Sequence, residues 1–253
     1  VIARLLILAA SFLLPSLVRA DLPDTIARVK QSMVVVGTYA RLRSPQFAMH
    51  GSGFAIGNGT LVATNAHVVP EGNLSNDTQG ILMVLASDGI EPRQRGAKLL
   101  VRDVTHDLAI LRIDGPALPA LSLHAGDTIR EGQAVAFTGF PIGGVLGFSP
   151  VTHRGIIASI TPIAQPGGNA GDLRDTAIRR LRKGAFPIYQ LDATAYPGNS
   201  GGPLFDPDTG EVLGILNMVF VKGSKEAVLE KPSGISYAIP VGHLVDLLKN
   251  VRP

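Results

Sequence analysis

The 253-residue sequence contains no cysteine. That excludes disulfides, a cysteine nucleophile and any zinc site ligated by cysteine. Stability must come from the buried core alone. Excess charge is scarce as well: 23 basic against 20 acidic residues, a formal +3, with charged residues only 17% of the chain. Two of the basic residues, Arg4 and Arg19, lie in the first twenty positions, and without them 21 basic residues face 20 acidic ones. A nucleic-acid role gets no support from such a balance. There is no internal repeat and no low-complexity tract, and no His/Asp/Glu set has the close spacing of a zinc protease. Helical periodicity is convincing only at the C-terminus, where Val241, Leu244, Val245, Leu248 and Val251 share one face behind Pro240.

What is present is apolar and broken by turns. Hydrophobic residues make up 45% of the chain, with 29 glycines and 18 prolines, a mix that suits many short strands. The first twenty residues are laid out as a secretory signal: Arg4, an apolar run from Leu5 to Leu14, and Val18-Arg19-Ala20 as a small-x-Ala ending. Cleavage is expected after Ala20, giving a periplasmic or secreted protein. The run is broken by Pro15 and falls short of the ~20 residues a bilayer span needs, so no membrane span is expected after cleavage.

Beyond Asp21–Gln31, read as a helical turn, strand-like runs follow one another. They are Ser32–Tyr39, Gly53–Ile56, Thr60–Thr64, Ile81–Ala86, Ala97–Arg102, Leu108–Ile113, Ala134–Gly139, Val151–Ile160, Ile188–Ala193, Val212–Val221 and Ile235–Ile239. Asn58-Gly59 between the second and third is a hairpin signal. Strands at this spacing predict a sandwich or barrel rather than βαβ units. Thr161–Pro187 stands apart as a long basic connection carrying Arg174, Arg179, Arg180, Arg182 and Lys183.

The strongest chemical signal is Pro197-Gly198-Asn199-Ser200-Gly201-Gly202-Pro203-Leu204. A serine hydroxyl needs a base to take its proton and donors to hold the oxyanion that forms. Glycines beside it let the backbone approach a carbonyl. The same residues fit the G-x-S-x-G elbow of α/β-hydrolases, but that elbow leads into a helix and has its acid and histidine downstream. Here strand, turn and strand follow, and the sole downstream histidine is His243. The partners lie upstream instead. His67 ends the run Ala63-Thr64-Asn65-Ala66, and Asp107 heads Leu108-Ala109-Ile110-Leu111. The order His, Asp, Ser is that of the chymotrypsin class. His106 adjoins Asp107, but neighbours on an extended segment point to opposite faces, so His106 is not read as the base.

Five segments together resemble the protease domain of the HtrA/Deg family. They are Gly51-Ser52-Gly53-Phe54, Thr64-Asn65-Ala66-His67-Val68-Val69, Asp107-Leu108-Ala109-Ile110-Leu111, Pro197–Leu204 and Gly234-Ile235-Ser236-Tyr237-Ala238-Ile239-Pro240. The resemblance covers about residues 25–250 and implies an all-β, chymotrypsin-like pair of six-stranded barrels with a C-terminal helix. The first barrel is expected within residues 21–125 and the second within 126–253. His67 would be the base, Asp107 its orienting acid and Ser200 the nucleophile. Gly198 and Ser200 would supply the oxyanion N–H groups, with that of Asn199 nearby. Protein or peptide substrates follow, unfolded or damaged exported proteins among them, and no metal or organic cofactor is required. The resemblance also implies a homo-oligomer, a trimer. The alternative is a latent or non-catalytic chaperone or binding module on the same barrels.

The sequence departs from the family in three places. No PDZ domain is expected after the protease, Leu191 stands where the family has Thr, and the 161–187 stretch is longer than the family's. In trypsin-like enzymes an acid six residues before the nucleophile selects Lys or Arg; here that position is Thr194. Asn199 replaces the Asp with which such zymogens pair a new N-terminus. Pocket walls are expected from Thr194, Ala195, Tyr196, Leu216, Asn217 and Met218, favouring small or medium aliphatic side chains.

Overall fold

A computed structural model describes residues 21–71, 80–87, 92–126, 129–141, 147–162, 186–217 and 235–251. Its first barrel is built from β1 (Met33–Tyr39), β2 (Phe47–Ile56), β3 (Leu61–Asn65), β4 (Ile81–Ser87), β5 (Pro92–Asp103) and β6 (Leu108–Ile113). The second is built from β7 (Ala134–Gly139), β8 (Val151–Pro162), β9 (Pro187–Asp192), β10 (Pro203–Phe205), β11 (Val212–Asn217) and β12 (Ile235–Pro240). Both barrels close, and their neighbours are antiparallel. Around the first barrel the order is β1-β2-β3-β6-β5-β4; around the second, read from β7, it is β7-β8-β9-β12-β11-β10. The topology thus repeats six strands on, although no repeat is visible in the sequence.

The strands carry almost unbroken apolar runs because both of their faces are covered. Successive side chains point to opposite faces of a strand. In β1, Val34 and Val36 enter the first barrel beside Val62, Val84 and Leu111. Met33 and Val35 face outward into a seam shared with the second barrel. In β11, Leu213 enters the second barrel with Val135, Phe137, Leu191 and Leu204, while Val212 and Ile215 enter the seam. Closing a sheet removes the edges an open sheet exposes. Packing two barrels back to back then turns the outer face of each into core.

Two helices among the described residues pack into the seam. α1 (Leu22–Gln31) is a ten-residue helix where a helical turn was expected. Its Val29 is buried in the seam, and Arg28 Nη2 donates to Thr209 O at 3.2 Å. α2 (Val241–Leu248) matches the apolar C-terminal periodicity and buries Val241, Leu244 and Leu247. The hairpin at Asn58-Gly59 forms with Ile56 opposite Leu61. β2 and β5 extend further back than their apolar pattern, to Phe47 and Pro92, because ladder bonds continue where side chains are half-buried or exposed. No helix among the described residues is long and apolar enough to cross a membrane.

Candidate active site

His67 sits in a short 3-10 turn, Ala66–Val68, at the end of β3. Asp107 precedes β6, which pairs with β3 so that Asn65 lies opposite Leu108. That pairing brings the two residues together. His67 Nδ1 donates to Asp107 Oδ2 at 2.7 Å, and His67 N donates to Oδ1 at 2.9 Å. The Asp107 carbonyl is held as well, by Ala66 N and by Asn65 Nδ2, each at 3.0 Å. Asp107 is 2% exposed, and the His67 side chain is 33% exposed. A buried carboxylate therefore fixes one edge of an imidazole that still reaches solvent.

A third donor comes from the other barrel. Asn217, at the end of β11, is fully buried, and its Nδ2 lies 2.7 Å from Asp107 Oδ2. Sequence reasoning set Asn217 on the pocket wall and missed this contact. Nothing local signals it, since the partner is 110 residues away.

Asp107 also has a φ of 54°, the sole positive value at a non-glycine residue among those described. An L-residue there costs roughly 1–2 kcal/mol. So the chain is not extended at this point, contrary to the premise used for His106. His106 does face away from the acid's site, toward Asp103 Oδ2 at 2.5 Å.

The Ser200 turn is held by a buried serine of the first barrel. Ser52 N donates to Ser200 O at 2.8 Å. Its Oγ donates to Gly198 O at 2.6 Å and accepts from Phe140 N at 3.0 Å. Its carbonyl accepts from Thr64 Oγ1 at 2.7 Å, three residues before His67. Ser52 thus joins the His67 strand, the Ser200 turn and β7's end. Gly51 makes that approach feasible: a Cβ there would lie 2.7 Å from Val68 Cγ2 and 2.8 Å from Ser200 O. The family-like Gly51-Ser52-Gly53 segment was legible in the sequence; its role as this hub was not.

Asn199 N donates to Tyr196 O at 3.0 Å, closing a four-residue turn with Pro197 second and Gly198 third. Gly198 has a φ of 102°. Proline at the second position and positive φ at the third mark a type II turn. The Asn199 N–H, expected near the oxyanion, is used to close it. The Asn199 side chain is buried, and neither Nδ2 nor Oδ1 has a hydrogen-bond partner among the described residues. Ser200 is 5% exposed.

Of the expected pocket residues, Thr194 and Tyr196 are half-buried. Ala195 is buried, and its N donates to Ser236 Oγ at 2.8 Å. Leu216 lies within the second barrel's core. Met218 lies outside the described residues, as do residues 163–185 of the basic stretch.

Residues 51–215 match the model of the trypsin-like peptidase domain. The chain belongs to that family. Within it, this is a protease domain of the HtrA/DegP type. It is 34% identical over 202 residues to a periplasmic serine endoprotease DegP-like protein of Halomonas elongata, covering 80% of this chain and 35% of the relative. It is also 34% identical over 200 residues to the mitochondrial serine protease HTRA2 of Drosophila pseudoobscura, covering 79% of this chain and 38% of that one. The chain therefore spans little more than a third of the length of these relatives. Among solved structures, the HtrA-type protease AlgW with a tripeptide superposes with a TM-score of 0.64 at 26% identity, covering 91% of this chain and 63% of that one. The active form of the Rv3671c protease of M. tuberculosis shares the fold, with a TM-score of 0.64 at 23% identity over 90% of this chain and 83% of that one.

Proposed function

We propose that this domain is a serine endopeptidase acting through an acyl-enzyme, with Ser200 as nucleophile, His67 as base and Asp107 as the acid that orients it. One observation carries the reading: a nine-tenths buried Asp107 carboxylate bonded to His67 Nδ1, in a site that Ser52 ties to the Ser200 turn. An imidazole held this way has its proton on Nδ1, leaving Nε2 to accept the serine proton. Asp107 then stabilises the imidazolium, and His67 returns the proton to the leaving amine. Water completes the cycle by the same route in reverse.

The oxyanion would be held by the N–H groups of Gly198 and Ser200. Type I and type II turns differ by a flip of their central peptide, so the turn type sets where the Gly198 N–H points. Ser52 Oγ, bonded to Gly198 O, supports the observed setting. Removing a donor of this kind costs about 10²–10³ in turnover in another serine protease.

The substrates we infer are unfolded or damaged proteins outside the cytoplasm, in line with the periplasmic relatives and the signal-like first twenty residues. With Thr194 where an acid would select Lys or Arg, a basic side chain would leave its charge unpaired, which is costly. Cleavage after Val, Ala, Leu or Thr is expected.

The test compares purified wild type with Ser200→Ala on peptide substrates, with products mapped by mass. A fluorophosphonate should label the wild type at Ser200. Turnover should fall by a factor on the order of 10⁶, the loss known for such a deletion elsewhere. Labelling of Ser200 without peptide cleavage would favour a latent enzyme. Equal turnover by the variant would remove Ser200 from the mechanism.

A further inference from the structure

The residues just before Asp107 form a cluster that the triad does not use. Asp103, the last residue of β5, accepts Thr105 N at 2.8 Å and His106 N at 3.1 Å on Oδ1. Its Oδ2 lies 2.5 Å from His106 Nδ1. One carboxylate thereby fixes the tight turn from β5 into β6. Asp107 follows at once, in the left-handed conformation described above.

The turn is pinned from the far side too. The His106 ring stacks on His243 of α2, with centroids 3.9 Å apart and planes 17° apart. Phe186, just before β9, meets both rings edge-on, at 4.7 Å from His106 and 5.2 Å from His243. The turn belongs to the first barrel, whereas α2 and Phe186 belong to the second half of the chain. Burial, with the His106 charge beside it, holds the His243 imidazole below its ordinary range, against an opposing pull from Asp103 and Asp246. On Asp103, burial raises the carboxyl, and the bonds and charge of His106 together with the Thr105 N–H outweigh it and hold it low. A His243 ring kept neutral in this way stacks on His106 without bringing a cation to the contact.

We propose that Asp103 and His106 are positioning residues for the acid Asp107, and that the His106–His243 stack ties that acid to the C-terminal helix. The proposal rests on the triad reading, because it assigns these residues an effect that passes through Asp107. A left-handed residue at a functional site persists when its surroundings over-determine it. Asp107 has such surroundings on both flanks: Asn65 and Ala66 bind its carbonyl, and Asp103 and His106 fix the residues before it. Loss of the second set would let the acid turn away from His67 without touching substrate, Ser200 or the His67 ring.

The experiment is a double-mutant cycle on the full chain. Turnover and KM of a quenched-fluorescent peptide are measured for Asp103→Ala, Asp103→Asn, His106→Ala, His243→Ala and His243→Phe. Each is made with Asp107 intact and with Asp107→Asn, and urea midpoints confirm folding. With Asp107 intact, Asp103→Ala should lower kcat by about tenfold or more with KM within about twofold, the mark of lost transition-state stabilisation. Asp103→Asn, which keeps an acceptor for the turn N–H groups, should lose less. It stands in if the alanine variant does not fold. His243→Ala should lower kcat, and His243→Phe, which preserves a stacking face, should restore it. In the Asp107→Asn background the same changes should cost less than about twofold, since effects that share one route do not add. Unchanged kcat in Asp103→Ala, or an equal loss in both backgrounds, would overturn the positioning role and leave the triad standing. An Asp107→Asn rate within tenfold of wild type would instead overturn the triad reading, and this proposal with it.

Discussion

Replacing Asn217 by alanine removes one of three donors from the buried Asp107 carboxylate. The bond lost is the 2.7 Å contact from Nδ2 to Oδ2, between a residue of 0% exposure and one of 2%. Water cannot readily take the place of the amide at that depth. A hydrogen bond to a charged group contributes about 1.5–3 kcal/mol net, and the truncated partner leaves the charge less compensated. The unfolding free energy should therefore fall by roughly 1.5–3 kcal/mol. The same oxygen also holds His67 Nδ1, so turnover should fall too. If the whole bond energy is felt at the transition state, the loss is roughly tenfold to a hundredfold, at about 1.4 kcal/mol per decade. That is well short of the roughly 10⁴ expected when the acid itself becomes Asn, because both contacts with His67 survive. Asn217→Asp supplies a contrast of the same shape. It sets a second carboxylate against Asp107, and one of the two must then take a proton. A carboxyl raised in the folded state binds more protons there than when unfolded, so this variant should gain stability as pH falls. Urea midpoints at two pH values and kcat on a peptide substrate read both effects. A loss below about 0.5 kcal/mol and below threefold in kcat for Asn217→Ala would refute the reasoning, since surface changes alone produce shifts of that size.

Ser52→Ala should lower kcat by more than about tenfold with little change in KM. It strips the donor from Gly198 O and leaves Phe140 N–H buried without its acceptor, a penalty of about 1–3 kcal/mol; a wild-type rate would show that the turn holds itself. Gly51→Ala should inactivate by displacing the Ser200 backbone, since the new methyl would sit 2.8 Å from Ser200 O, and fluorophosphonate labelling at the normal rate would count against that. His153 stacks on Phe137, has a buried Nε2 with no partner among the described residues, and is held by burial below its ordinary 6.5. The unfolded chain therefore takes up this proton first, and stability should be lost as pH falls below about 6.5. His153→Phe should flatten part of the fall in melting temperature between pH 7.5 and 5; an unchanged slope would clear His153 of that role.

The strands, the C-terminal helix and the segments that carry the proposed triad were legible in the sequence, because each depends on local pattern. Short apolar runs bounded by turn residues, an Asn-Gly turn and a Gly-rich serine segment are set by neighbours a few residues apart. The residues that hold the triad in place are a different matter. Asn217 bonds Asp107 across 110 positions and Ser52 bonds Gly198 across 146. Their types are ordinary, an Asn ending an apolar strand and a Ser between glycines, and only the closing of two barrels against each other brings them to the site. His106 shows the same limit in reverse. The sequence set it apart from Asp107 on the premise of an extended segment, whereas the structure has a left-handed Asp107, an Asp103 bond and a stack on His243 there. Local pattern determines which segments become strands, since that follows from side-chain direction along the chain. Register and barrel packing determine which buried polar groups find each other, since a buried donor must be satisfied by whatever the tertiary fold places within about 3 Å.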